Sequence, residues 1–566
     1  MREFDTSGKV TKMLADGKIL APGENPQHMF DRVVDTLFSV ESTLGIDSGE
    51  TLRNKEIFAD YMLQGAISPG TPTLTNAGRS EYTNAALSSC VVISVNLRKL
   101  DEAAVKIRGY YRQNMGSGFD FTPYDDPVGL LTWLNDLSEK ETATGQYDRY
   151  IGNMGNLHVS HPRIREFIRA KRDTAMKHFN ISVDVSEEFM QAVMEHRSYR
   201  LADGTDIDAY GLLKEMSECA HHNGDPGLIS LERMNRDNPV QTISSYTSVP
   251  PCSEMGLAPG ETCQFGYINL LKFSTPEGID FVNLSKATMS MTRALDNAIE
   301  ISRNGYPDEE SNRLATLKRK IGIGVCGLAD TLIQLGIPYG SEEGRTVAQN
   351  MLASINFASK VASVQLAEQR GSCNAMVDQD NKYYHGFIES RYAMHPTDSV
   401  SKQAWEMLAA HIKKTGHLRN ILTTALPPAG RTSILLGVTS SIEPLFSLHG
   451  LNDGTQKLIE SFIKQRVGDE SQIVLDQALE QGTFQHRSLP DEEVLKTVKE
   501  IPFIDQLQMV AAVSGVYDEA ISKTVNLPHS ASVQDVLDVF IDSHRLGLKN
   551  ITVYKDKSYE NQPISL

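Results

Sequence analysis

Short apolar runs of strand character recur along this chain, and longer segments of helical period separate them. The runs are SSCVVISV (88–95), FNISVD (179–184), IGIGVC (321–326) and NITVY (550–554), and helical periodicity marks 26–44, 283–303 and 345–369. Such an alternation commits a chain to an α/β body, because helices that bridge strands of one sheet must pack on its faces. With 566 residues the chain exceeds the size at which a single core usually stops growing, about 250–300 residues, so it can bury a deep site. No low-complexity linker, repeat or composition break marks an internal boundary, which points to one catalytic domain with short appendages. Glycines in MGSGFDF (115–121), GNMGN (152–156) and PPAGRTS (427–433) read as turns beside strands, where backbone could approach a ligand closely.

Charge narrows the classes of partner. Lys and Arg number 55 against 72 Asp and Glu, a net charge of −17 that would repel a polyphosphate backbone. A nucleic-acid binder is therefore disfavoured, whereas a small nucleotide held by backbone amides remains compatible. No apolar run approaches the ~18 residues of a membrane span, and the opening MREFDTSGKVTKMLADGK lacks the apolar core of a signal peptide. The expected compartment is the cytoplasm, with no membrane association.

The six cysteines (90, 219, 252, 263, 326, 373) are too few for a disulfide scaffold and show no CxxC spacing. An isolated cytosolic cysteine is ordinarily a small buried hydrophobe, and Cys219, Cys326 and Cys373 are read so. Cys252 differs, because SVPPCSEMG places it after two prolines that exclude a helix, with Glu254 two residues on. On an extended loop that spacing turns thiol and carboxylate to one side, where they can address neighbouring atoms of one substrate. Cys90 and Cys263 each stand at the edge of a strand-like run and could supply a two-electron thiol pair, an arrangement suited to a reductase.

At these residues the chain resembles the large catalytic subunit of ribonucleotide reductase. The likeness runs through SPGTPTLTNAG (68–78), LSSCVV (87–92), GSGFDF (116–121), GNMGNLHVSHPRIREFIRAKR (152–172), HFNISVDVSEEFM (178–190) and GDPGLISLERMN (224–235). It continues, in the same order, through PCSEMGLAPGETCQFGYINL (251–270), KIGIGVCGLADTLIQLGIPY (320–339), SILLGVTSSIEPLF (433–446) and GLKNITVYKD (547–556). The resemblance implies a ten-stranded α/β barrel surrounded by helices, with a finger loop carrying Cys252 into its centre. It implies an N-terminal helical region over 1–60 and the catalytic barrel over 61–566. It also implies roles: Cys252 as the thiyl radical that abstracts the ribose 3′ hydrogen, Glu254 as general base for the 3′-hydroxyl, and Cys90 with Cys263 as the pair that closes into a disulfide. Substrate phosphates would be held by Thr71, by Ser89 and by Gly430, Arg431, Thr432 and Ser433.

Several positions depart from the family's pattern. Pro250 stands where an asparagine is usual, and PPAGRTS replaces a threonine-rich phosphate loop. No cysteine follows Cys373, so reduction of the pair is expected from an external thiol reductant such as a thioredoxin, from another chain or from a segment outside this sequence, and no N-terminal ATP-binding regulatory domain is expected. A specificity site for deoxynucleotide effectors is expected, with GNMGN resembling the loop that couples effector to substrate. Members fed by a separate dimetal subunit carry two adjacent tyrosines near the C-terminus; here Val553 precedes a single Tyr554, the pattern of the adenosylcobalamin-dependent class. Tyr554 is then the one candidate for radical transfer, Tyr559 reading as a tail residue.

The expected activity is reduction of ribonucleoside di- or triphosphates with adenosylcobalamin, by a homodimer or another assembly. One alternative is a catalytic subunit fed by a radical-generating small subunit; another, from a different class, is an inactive nucleotide-binding regulator, for which Pro250 speaks. Asp542, His544 and Gly547 fit a cobalt-ligand motif but are followed by too little chain to house a cofactor tail, and are read as coincidence. His158 with His161, and His221 with His222, lack the partners of a metal site, and no structural metal is expected.

Overall fold

The computed structural model describes residues 8–172, 176–377, 384–484, 492–556 and 558. Its main sheet has ten strands, numbered here along the chain: β1 (Ile67–Pro69), β2 (Cys90–Val92), β3 (Gly116–Asp120), β4 (Asn153–His158), β5 (Phe179–Asp184), β6 (Gly227–Ile229), β7 (Thr262–Asn269), β8 (Ile321–Cys326), β9 (Thr524–Leu527) and β10 (Asn550–Lys555). Strands β2 to β6 lie parallel in chain order. β7 is parallel to β8, and β9 to β10. The two halves meet antiparallel where β2 pairs with β7 and β6 with β10, and β1 extends the same edge of β7.

Residues 422–426 join what would otherwise be two sheet edges. On one side Ile323 N donates to Thr423 O (2.9 Å); on the other Ser522 N donates to Leu426 O (2.9 Å), just ahead of β9. This segment thereby bridges β8 to the residues just ahead of β9, as the α/β barrel of this ten-stranded sheet requires.

Periodicity located the long helices well. They run Pro26–Ser39, Phe281–Ser302 and Glu342–Arg370, the first starting where the Asn25 side chain accepts from His28 N (2.8 Å) with proline at the first helical position. The reading of 26–44 as one helix is corrected at Val40–Leu44, which tightens into a 3₁₀ turn ended by left-handed Gly45. The run 88–95 yields only the three residues of β2.

Two glycine-bearing stretches read as turns are strands instead. GSGFD is β3 and most of GNMGN lies in β4, because their glycines clear room for another segment rather than bend the chain. A Cβ on Gly118 would lie 2.2 Å from Val249 O, and one on Gly116 would lie 3.1 Å from Pro251 Cγ and 3.2 Å from Cys90 Sγ. Within the barrel, Met255, Leu257, Phe265 and Tyr267 form one apolar cluster, and Tyr246 and Val249 belong to another.

Asp518 ties the closing segment in place. Its fully buried carboxylate accepts from Thr423 N (2.7 Å) and Thr424 N (3.0 Å) and pairs with buried Lys360. Burial alone would raise its pKa, but Lys360 and the donated hydrogen bonds overcome that and hold it at about 2. The stabilisation is complete above the ordinary carboxylate range and is lost as pH falls toward 2. Asp518→Ala strands a buried ammonium and two amides, and is expected to cost about 3–5 kcal/mol of unfolding free energy in urea titrations. A midpoint equal to wild type would show that closure does not depend on this carboxylate.

Candidate functional site

A loop from Ser248 to Leu257, pinched at its base by a bridge between those two residues, projects into the barrel. On one side it rests against β3 at the glycines just described and against β5, where Asn180 Nδ2 donates to Pro251 O (2.9 Å). Asn156 of β4 donates to Thr247 O (3.2 Å). On the other side Lys320 Nζ donates to Gly256 O (2.7 Å) while pairing with Glu519 (2.6 Å), whose second oxygen accepts from Gly256 N (3.3 Å). Cys252 and Glu254 are at the tip. The expectation of an extended tip is corrected: Ser253 between them has φ +58°, a left-handed conformation costly for serine. Both flanking side chains nonetheless line one cavity of about 330 Å³.

That cavity brings most of the expected residues together. Thr71, Ser89, Cys90, Cys252, Glu254, Gly430, Arg431 and Thr432 all line it. Two short helices open on it, Thr71–Asn76 and Gly430–Leu436. Ser433 does not reach it, since its buried hydroxyl donates to Gly430 O (2.9 Å) within its own helix. Tyr554 is also absent from the lining; it sits, half-buried, near the end of β10. Tyr559 lies outside the described residues.

The three thiols and the carboxylate form one electrostatic unit. Cys252 is exposed to the cavity, whereas Cys90 and Cys263 are buried. Cys90 of β2 and Cys263 of β7 are directly opposite in the antiparallel ladder. Opposed antiparallel residues have Cα atoms about 4.5–5.5 Å apart, inside the range a disulfide spans. Burial, then Glu254 and Cys90, push the Cys252 thiol well above its ordinary pKa, and burial and contact with the Cys90 thiol do the same to Cys263. These sulfurs are protonated at neutral pH, the form from which a hydrogen atom is lost. Burial raises Glu254 to about 7 against the opposing pull of its own backbone hydrogen bond and Arg149. Its Oε2 has no hydrogen-bond partner among the described residues. A carboxylate poised near neutrality with one oxygen unengaged suits proton transfer to a ligand.

Sequence reasoning missed Arg149, Tyr150, Phe265 and Tyr267, which line the same cavity. Tyr267 donates to Pro428 O (3.0 Å), bracing the segment before Gly430. Nothing in TGQYDRY (144–150) singles out Arg149; only the approach of that segment to β2 does.

The histidines set aside have protein partners. His158 Nδ1 lies 2.7 Å from Ser160 Oγ, His161 Nε2 3.1 Å from Tyr124 O and His221 Nε2 2.8 Å from Ala531 O. His544 is buried between Arg233 (2.9 Å) and Glu187 (3.4 Å). Among the described residues no group of three or more His, Cys, Asp or Glu has metal-site geometry, and no helix is long and apolar enough to cross a membrane.

The family model for the ribonucleotide reductase barrel domain matches residues 88–554, and that for the reductase all-alpha domain matches 13–82. The chain belongs to the ribonucleotide reductase family. It is 30% identical to the vitamin B12-dependent ribonucleoside-diphosphate reductase of Mycobacterium tuberculosis, over 96% of this chain and 78% of that protein. It is equally 30% identical to the protein of the same name from Thermoplasma acidophilum, over 91% of this chain and 66% of that one. The fold superposes on the class Id ribonucleotide reductase alpha subunit of Actinobacillus ureae with a TM-score of 0.77, covering 98% of each chain at 19% identity.

For a reductase of this family, the ladder register makes a definite demand on the thiols. Mild oxidation with diamide is expected to join Cys90 to Cys263, read as one cross-linked peptide pair by mass spectrometry, while Cys252 stays open to alkylation. A dominant Cys90–Cys252 cross-link would refute the pairing.

Proposed function

We propose that this chain reduces ribonucleotides, as diphosphates, to 2′-deoxyribonucleotides with adenosylcobalamin, through a thiyl radical on Cys252. The observation that carries the reading is the convergence of Cys252, Glu254 and Cys90 on one cavity that also collects two helix starts and Arg431, with buried Cys263, itself outside the lining, directly opposite Cys90 in the ladder. The cobalamin assignment is supported by the names of the mycobacterial and Thermoplasma relatives.

The residues present fit such a cofactor. Cys252 is reachable from the cavity, and Gly152, with nothing within 4 Å of where its Cβ would be, leaves room on the side bounded by Gly116 and Tyr150. Those residues would border the adenosyl group, whose cobalt–carbon bond supplies the radical equivalent when cleaved. A protein relay has less support, because Tyr554 is single and outside the cavity.

The chain's own groups account for the remaining chemistry. Cys252 takes the 3′ hydrogen atom and later returns it. Glu254, ionised, accepts the 3′-hydroxyl proton. The 2′-hydroxyl leaves as water with a proton from the Cys90–Cys263 pair, which gives up two electrons and becomes a disulfide; a thiol reductant must then restore it. The amides at the start of Gly430–Leu436, the hydroxyls of Thr71 and Ser89, and Arg431 would hold the phosphates. The barrel wall keeps a radical from water and oxidants. Effector binding and subunit assembly are expected by analogy with the family.

The purified chain with adenosylcobalamin, dithiothreitol and a ribonucleoside diphosphate is expected to form the deoxynucleotide. Cys252→Ala should abolish turnover while leaving nucleotide binding intact; turnover that needed an added metal-containing subunit instead would overturn the cofactor assignment. Because Glu254 must be ionised and its pKa is about 7, kcat/KM should fall toward tenfold per pH unit below that value. A profile flat down to pH 5 would remove Glu254 as the base.

A further inference from the structure

Arg149 occupies a place in the cavity that the reading above leaves without a task. Its Nη1 donates to Ser89 O (3.0 Å), beside Cys90, and to Asn114 O (3.0 Å), while its own amide donates to Asn114 Oδ1 (3.2 Å). Two carbonyls thus fix the guanidinium from behind. Nε and Nη2 have no protein partner among the described residues, and the side chain lines the cavity. A fixed fork with unspent donors facing a void is built to receive oxygen acceptors from a ligand.

Its surroundings say which part of a ligand. It is the cation whose field reaches Cys252 and Glu254 at the finger tip, and its field also reaches Arg431 at the start of Gly430–Leu436, all four side chains lining the one cavity. Arg149 therefore shares the cavity, within electrostatic reach, with both the residues assigned to the sugar and those assigned to the phosphates. At the tip, Pro250 offers no donor from backbone or side chain. Two like charges held near one another, each partly desolvated, are compensated once an anion lies between them.

We propose that Arg149 is a substrate-holding residue whose free guanidinium N–H groups bind the sugar–phosphate junction of the ribonucleotide, with Arg431 taking the outer phosphate. This deepens the reductase reading and rests on it. The same positive charge favours the ionised form of Glu254, around which the other titratable groups are Cys252, Cys263 and Tyr267, all disfavoured as anions.

Arg149→Gln keeps a donor for the two carbonyls and removes the charge, whereas Arg149→Lys keeps the charge and loses the fork. Calorimetric titration of the cofactor-free chain with cytidine diphosphate and adenosine diphosphate is expected to show roughly ten- to hundredfold weaker binding for Arg149→Gln, the worth of one charge-assisted hydrogen bond, and a smaller loss for Arg149→Lys. Inorganic pyrophosphate should compete less well against the Gln variant's residual binding than against wild type's. In turnover, the acid limb of kcat/KM should move to higher pH in Arg149→Gln and return in Arg149→Lys, a shift that a purely structural role would not produce. Diphosphate affinity and acid limb both equal to wild type in Arg149→Gln would overturn the proposal while leaving the reductase intact. Should the Gln variant not fold, an Arg149→Lys enzyme that folds and binds the diphosphates as tightly as wild type would overturn it equally. If wild type itself binds no ribonucleotide, the reductase reading fails first and takes this inference with it.

Discussion

The finger loop can occupy the barrel axis only because β3 presents hydrogen atoms instead of side chains to it. Gly116 and Gly118 let Pro251 and the Val249 carbonyl approach within ordinary contact distance, and any Cβ there would push the tip off its support. From the opposite wall, Lys320 and Glu519 grip Gly256 through its carbonyl and amide. Those charges are buried with Lys318, Glu261 and the Tyr246 ring, with Lys320 4.3 Å from the ring centroid. Charges so deep are tolerable only when paired and hydrogen-bonded, so the grip is rigid, and its rigidity passes to Cys252 four residues earlier.

Rigidity at the base makes strain at the tip sustainable. The left-handed Ser253 would relax to an ordinary conformation in an isolated peptide; here both ends of the loop are over-determined, and the turn sends Cys252 and Glu254 into one cavity. The same enclosure raises the thiol and carboxyl pKa values, since burial penalises every anion in it. Geometry and ionisation therefore have a single origin. The barrel wall that encloses the cavity also keeps Cys252 and Cys263 protonated and Glu254 near neutrality.

Two parallel halves meeting antiparallel at β2–β7 have a chemical consequence as well. Cys90 and Cys263 belong to different halves, 173 positions apart in the chain, and face each other only because those edge strands pair in this register. A slip of one residue would turn one sulfur to the opposite face and disconnect the pair.

Some of this was legible in the residues. Apolar runs at 179–184 and 321–326 coincide with β5 and β8, and periodicity located the long helices, because these are local properties of short stretches. The collinear motifs identified the family, and with it Cys90, Cys252, Glu254 and Cys263. Local pattern could not tell a glycine that bends a chain from one that admits a neighbour, and so GSGFD and GNMGN read as turns; the neighbour is the finger loop for Gly116 and Gly118 and the Phe121 ring for Gly155. It could not see that Ser433 turns inward, or that Arg149 reaches the cavity from an unpatterned stretch. What the sequence by itself determined is the class of fold and the candidate reacting groups, since these follow from residue type and local order. The tertiary structure decided which groups share a cavity, how each ionises and what holds the loop still, because burial, register and field depend on atoms that only folding brings together.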